Sequence, residues 1–313
     1  MNTPHLKPIP RYLNDFLDWI DVEQGLSSKT QENYSRFLKL FLDWLEKEKL
    51  TNIKPSELTK EHIWDYKVFL SRHYKTRDGK QLKRVTQNFY LIALRSLLTF
   101  FADKDILSLP PEKIKLTKQE EKPVHFLALD QVEKLLNEPK GKTKIGLRDK
   151  AILEVFFSTG MRVAELVSLN RNQIKIQPLT KDLEITIIGK GKRPRTVFFS
   201  EKTVQHLKKY LETRNDKEQA LFINYSGREP GTRLKKRSME RTVKKYVISA
   251  GLPINTSCHT LRHSFATDLL NKGVDIRTVQ EFLGHKNIVT TQIYTHVTRP
   301  QLRKIHRKCH SEK

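Results

Sequence analysis

The sequence predicts a mainly α-helical chain built as two domains, with one small β-hairpin confined to the second. Three observations carry this. Apolar residues recur at the 3.6-residue helical period through most of the chain. A proline- and charge-rich stretch, LPPEKIKLTKQEEKP, breaks that pattern at 109–123. Strict alternation of apolar and polar residues occurs in one place only, between Leu183 and Phe199. A chain of 313 residues is also long enough for two cores of ordinary domain size.

Tyr12, Leu13, Phe16, Leu17 and Ile20 mark the first helix. Ser28 followed by Gln31 reads as a capping box that opens a long amphipathic helix through Tyr34, Phe37, Leu38, Phe41, Leu42 and Leu45. Ile63 to Leu70 and Val85 to Phe101 give two more, and four helices with short polar connections make a bundle over 1–108. Its aromatic residues fit core packing better than base stacking. A linker follows over 109–125, and the second domain spans 126–313.

That domain opens with DQVEKLLNE and continues with RDKAILEVFFSTGMRVAELVSL, where Gly160 separates two apolar stretches and places Arg162 at a helix start. Leu183, Ile185 and Ile187 form one strand, Gly189 to Pro194 turn the chain with a basic tip, and Thr196 to Phe199 return it. Helices are then expected at Gln205–Glu212, Ser238–Ala250, His259–Asn271 and Ile276–Leu283, in a short segment holding Tyr294, and after Pro300. Gly251, Gly273 and Gly284 sit where helix C-caps belong.

Charge narrows the partners. Lys and Arg number 59 against 35 Asp and Glu, a formal net charge of +24. Solubility alone needs a net charge of only about 2 to 8 in a small domain. A polyanion, nucleic acid first, is therefore the expected partner. No apolar run reaches the roughly 18 residues a membrane span needs, no basic amphipathic helix lies at a terminus, and Met1 to Pro10 lack the apolar core of a signal peptide. A cytoplasmic location without a membrane partner is the expectation. Cys258 and Cys309 form neither a disulfide framework nor a Cys-x-x-Cys pair.

Three motifs remain, each weak alone. In His259-Thr-Leu-Arg262-His263, a spacing of three puts His259 and Arg262 on one face at a helix N-terminus, where an anion would also meet free N–H groups. Gly160-Met161-Arg162-Val163-Ala164-Glu165 places Arg162 and Glu165 one turn apart, which by itself suits an exposed ion pair. Gly284-His285 is followed nine residues later by Tyr294, whose ordinary role is a half-buried aromatic. His259 and His263 lack a third ligand for zinc, and Gly141-Lys142-Thr143 lacks the P-loop glycine, since Leu136 stands there.

Taken together and in this order, R-x-x-E, a basic hairpin, H-x-x-R, G-H and Y resemble the tyrosine recombinase family, with wording closest to its Xer branch. The resemblance covers most of 126–305, through LRDKAILEVFFSTGMRVAELVSL, IIGKGKRPR, HTLRHSFATDLLNKGVDIRTVQEFLGH and TTQIYTHV; the helical N-terminal part resembles the family's core-binding domain. It implies a two-domain clamp on DNA, with Arg162 and Arg262 as phosphate-binding arginines, Tyr294 as nucleophile and Lys190 as the hairpin lysine. His259 is implied as the H-x-x-R histidine, His285 as the His-or-Trp position, and Glu165 as the acidic residue supporting the first arginine.

These residue types suit DNA cleavage without net hydrolysis. A tyrosine oxygen can stay bonded to DNA until a second strand arrives. Two guanidiniums can hold the non-bridging oxygens by forked, charge-assisted bonds, and a lysine can protonate the leaving 5′ oxygen. Lys190 is chosen by the resemblance; Lys192 is equal on physical grounds, whereas Arg193 and Arg195 do not give up protons. His259 could take the tyrosine proton or donate to phosphate.

No cofactor or metal is expected. The implied partners are double-stranded DNA, a homo- or hetero-tetramer of recombinase subunits, a second recombinase and a DNA translocase, with the helix from Pro300 to Lys308 docking on a neighbour. Two departures from the family pattern stand out: Cys258 replaces a common proline, with a looser helix start as the expected effect, and the 169–183 connection is longer than usual. The implied task is chromosome dimer resolution. Integration or excision of a mobile element uses the same chemistry, a type IB topoisomerase would relax one duplex rather than exchange two, and an inactive accessory factor would form no covalent adduct.

Overall fold

The computed structural model describes residues 6–76, 78–118, 124–177, 180–189, 194–227, 229–285 and 287–294. Lys190, Lys192, Arg193, Cys309 and the helix expected after Pro300 lie outside the described residues. The protein is mainly helical, with a small two-stranded antiparallel sheet. It divides into two compact units, Met1–Glu121 and Lys122–Lys313.

The first unit is built on α1 (Leu13–Val22), α2 (Ser28–Lys47), α3 (Lys60–Val68) and α4 (Arg84–Asp103). Their apolar stripes meet in one core that includes Phe16, Ile20, Leu38, Phe41, Leu45, Tyr66, Leu94 and Phe101. The aromatic rings pack on one another there: Tyr66 meets Phe41 edge-on at 4.9 Å between centroids. The cap of α2 is Ser27 rather than Ser28, its hydroxyl accepting from the Thr30 N–H. Gln31 turns its amide back to Asp21 and to the Leu26 carbonyl instead. Residues 109–118, read as part of the linker, lie against this unit: Ile114 is fully buried, and Asn88 exchanges two hydrogen bonds with the Thr117 backbone.

The second unit comprises α5 (Leu129–Asn137), α6 (Lys144–Thr159), α7 (Val163–Ser168), β1 (Leu183–Ile188), β2 (Pro194–Phe199), α8 (Glu201–Leu211), α9 (Lys236–Ser249), α10 (Cys258–Asn271), α11 (Ile276–Leu283) and the short α12 (Val289–Gln292). Helix α6 is buried along most of its length, with Ala151, Ile152, Leu153, Val155 and Phe156 in the core beside the buried charged residues Arg148, Asp149, Lys150 and Glu154, and it packs against α8 and α10. The strands pair antiparallel with Leu183 opposite Phe199 and Ile187 opposite Arg195. Helix α8 starts earlier than the expected Gln205, because Ser200 caps it. Tyr294 lies just beyond α12, its N–H bonded to the Thr291 carbonyl, rather than within a helix.

With Cys258 in place of the common proline, the start of α10 is capped by side chains. Ser257 caps the Thr260 N–H and Thr260 returns a bond to the Ser257 N–H, while Cys258 is buried and burial pushes its thiol up to about 12.

Gly160 is the hinge on which the site turns. It ends α6 in the left-handed region at φ +57°, and a Cβ built there would stand 2.4 Å from Cδ1 of Phe265 on α10. Left-handed strain and overpacking together predict a loss of about 2–4 kcal/mol for Gly160→Ala. Urea denaturation should show a lower midpoint with an unchanged slope.

Candidate active site

The break at Gly160 lets the chain restart as α7 with Arg162 at its N-cap. The Arg162 N–H donates to Glu165 Oε2 at 2.8 Å, and Nη1 donates to Oε1 at 3.1 Å. Strand β2 brings Arg195 to the same carboxylate, Nη1 to Oε1 at 2.9 Å and Nη2 to Oε2 at 2.7 Å, and Arg195 Nε reaches the Phe282 carbonyl. Glu165 is 7% exposed, and burial acts to raise its pKa. The bonds from Arg195 and from the Arg162 N–H outweigh burial, so the carboxyl lies below its ordinary value and stays ionised.

Arg262 projects from α10 and is 4% exposed. Nη1 donates to the Gly160 carbonyl and Nη2 to the Leu283 carbonyl, each at 2.6 Å, while Nη2 also lies 3.0 Å from His285 Nε2. Burial first, then the charges of Arg162 and Arg195, pull its pKa down to about 9, and it remains a cation at neutral pH. Two guanidiniums thus share one carboxylate, and a third, Arg262, lies close enough to feel the charges of both. The excess positive charge is held in a desolvated setting where an anion such as phosphate would balance it.

His285 follows Gly284, the left-handed cap of α11. Because arginine only donates, His285 Nε2 is the acceptor, so the ring is neutral with its proton on Nδ1, directed at Thr291 Oγ1 2.9 Å away. Burial and then Arg262 lower its pKa to about 4. Tyr294 is 1% exposed, seated among Ala266, Leu270, Val279 and Leu283. Burial raises its phenol above the ordinary value against the opposing pull of Arg262 and Arg162. Its hydroxyl is not on His259 but 2.7 Å from Nδ1 of His263. His259 is exposed in the first turn of α10.

The structure thus brings Arg162 to Glu165, and Arg262 to His285. Sequence reasoning did not foresee the places of Arg195, His263 and Thr291. Arg195 had a signal, since the period of two sets it in phase with the buried Val197 and Phe199. His263 had the weaker one of standing four residues after His259; Thr291 had none.

The neutral histidines give the unit a pH signature. His263 also lies at about 4, through burial, then His259 and Arg262. Unfolded, both histidines take protons near 6.5; folded, they resist them until about 4. Between those values the unfolded chain binds more protons, so stability falls as pH falls through that window. Calorimetry across it should show a declining unfolding midpoint, with a shallower decline in His285→Asn.

The model of the Phage integrase family matches residues 125–300, and that of the phage integrase N-terminal SAM-like domain matches residues 13–105. Tyrosine recombinase XerD of Oceanobacillus iheyensis is 34% identical, over 95% of this chain and 97% of its own. Tyrosine recombinase XerC of Natranaerobius thermophilus is 36% identical, over 95% and 98%. Among solved structures, XerA recombinase matches at 28% identity and a TM-score of 0.51, covering 97% of this chain and all of that one. XerH bound to its difH substrate before cleavage matches at 23% identity and a TM-score of 0.71, covering 96% and 98%.

Proposed function

Since this chain belongs to the phage integrase family, as a tyrosine recombinase of the Xer branch, we propose that Tyr294 attacks a DNA phosphodiester to give a 3′-phosphotyrosine. The second strand is then joined at the expense of that ester, so the bond energy is conserved and no nucleotide energy source is consumed. The observation that carries the reading is the clustering of three guanidiniums in the unit that holds Tyr294: Arg162 and Arg195 paired with Glu165, and buried Arg262 held beside them by two backbone carbonyls.

In this scheme Arg162 and Arg262 hold the non-bridging oxygens as negative charge grows on them. Two donors of Arg262, one on Nη1 and Nε–H, have no partner among the described residues and can face the phosphate. Glu165, fixed by Arg195, holds Arg162 in place. His285, locked by Thr291, supports Arg262 from behind. His259 faces solvent at the N-terminus of α10 and donates to the phosphate. Lys190 protonates the leaving 5′ oxygen.

The biological task we propose is chromosome dimer resolution on double-stranded DNA by a tetramer, paired with a second recombinase and a DNA translocase. Support comes from the XerC and XerD relatives, which match over nearly their whole length. Two labelled duplexes carrying the site, mapped by sequencing the DNA trapped on the protein, should yield recombinant strands. Relaxation of supercoiled DNA without any recombinant would overturn the assignment.

A further inference from the structure

We propose that His263 is a further catalytic residue: its Nδ1 takes the proton of the Tyr294 hydroxyl during strand cleavage. This rests on the assignment of Tyr294 as nucleophile. Among the described residues, His263 is the hydrogen-bond partner of that hydroxyl, at 2.7 Å, with the two rings 5.4 Å apart and tilted by 56°. The apolar cluster around the tyrosine ring fixes where its oxygen lies, and the same helix that carries Arg262 carries His263. His259, the other histidine of the motif, is exposed and is left free to meet the phosphate.

The groups facing His263 are His259 and Arg262 on its own helix, His125 from the segment entering the unit, and Tyr294. None of these is a carboxylate, so among the described residues no negative charge holds the ring protonated. A neutral imidazole carrying its proton on Nε2 offers a lone pair at Nδ1. A bound phosphodiester brings a negative charge beside Arg162 and Arg262, which strengthens His263 as a base only when substrate is in place.

In the step itself the Tyr294 Oη–P bond forms, the P–O5′ bond breaks, and the phenol proton passes to His263 Nδ1. The leaving oxygen takes its proton from the general acid assigned to Lys190. Strand joining reverses each transfer.

The test uses the full chain on a nicked suicide duplex and on the same duplex with a 5′-bridging phosphorothiolate, whose sulfur leaves without a proton. His263→Asn puts an amide near the Nδ1 position, able to hydrogen-bond but not to accept a proton. Covalent adduct should form about 10²–10³-fold more slowly in His263→Asn on both substrates, with the ascending limb of the pH–rate profile lost and DNA affinity kept. The phosphorothiolate should rescue Lys190→Ala but not His263→Asn, and added imidazole should partly restore His263→Ala. A His263→Asn rate within about threefold of the parent with an unchanged pH profile, or no imidazole rescue of His263→Ala, overturns the proposal. Adduct persisting in Tyr294→Phe would instead overturn the nucleophile assignment beneath it.

Discussion

Tyr294→Phe is expected to reduce covalent protein–DNA product by at least about 10⁴-fold, the scale of losing a nucleophile outright. The substitution removes the one atom proposed to bond to phosphorus and leaves the ring, which is packed among Ala266, Leu270, Val279 and Leu283. His263 loses its partner, a cost of about 1 kcal/mol for a partly buried hydrogen bond. A unit of this size then shifts its unfolding midpoint by only about 2–4 °C. DNA affinity, if it draws on the large cationic excess of the chain, should change little. Gel separation of the adduct on a nicked duplex, with affinity measured in parallel, checks both halves. Adduct formation by the variant would remove Tyr294 from its proposed role.

Arg262→Ala is expected to combine a catalytic loss with a measurable folding defect. If the guanidinium stabilises the charge on the transferring phosphoryl group, its removal should slow cleavage by about 10³–10⁵-fold, the range seen when an arginine serves phosphoryl transfer. On the folding side, the carbonyls of Gly160 and Leu283 each lose a donor, at about 1–3 kcal/mol apiece when buried. Relief of repulsion from Arg162 and Arg195 offsets part of this, as the depressed pKa of Arg262 indicates. The net expectation is a loss of about 2 kcal/mol, or a midpoint lower by about 4–8 °C. Arg262→Lys keeps the charge but not the fork that spans two carbonyls, and should rescue cleavage by less than about tenfold. Single-turnover cleavage with thermal denaturation decides it: an Arg262→Ala rate within tenfold of the parent would sink the role.

Much of the fold was legible because its determinants are local. Apolar residues at helical spacing, the alternation of Leu183, Ile185 and Ile187, and glycines at the ends of α9, α10 and α11 each act within a few residues. The errors were local as well. The spacing of Ser28 and Gln31 pointed to a capping box, but Ser27 caps α2 and the Gln31 amide goes to Asp21 and the Leu26 carbonyl. The stretch at 109–118 looked like linker by composition, yet one isoleucine, Ile114, and one buried asparagine, Asn88, bind it to the bundle.

By itself the sequence determined the helical period, the hairpin, the charge that calls for a polyanion, and the identities and order of Arg162, Glu165, His259, Arg262, His285 and Tyr294. Beyond the local Arg162–Glu165 pair, what those side chains touch was decided by tertiary structure. Arg262 finds its acceptor 102 residues away at Gly160, Arg195 crosses 30 residues to Glu165, and Tyr294 meets His263 across 31 rather than the exposed His259. The physical reason is that periodicity assigns a residue to a face, whereas a buried polar atom must take whichever partner the packing of distant elements brings within hydrogen-bond reach.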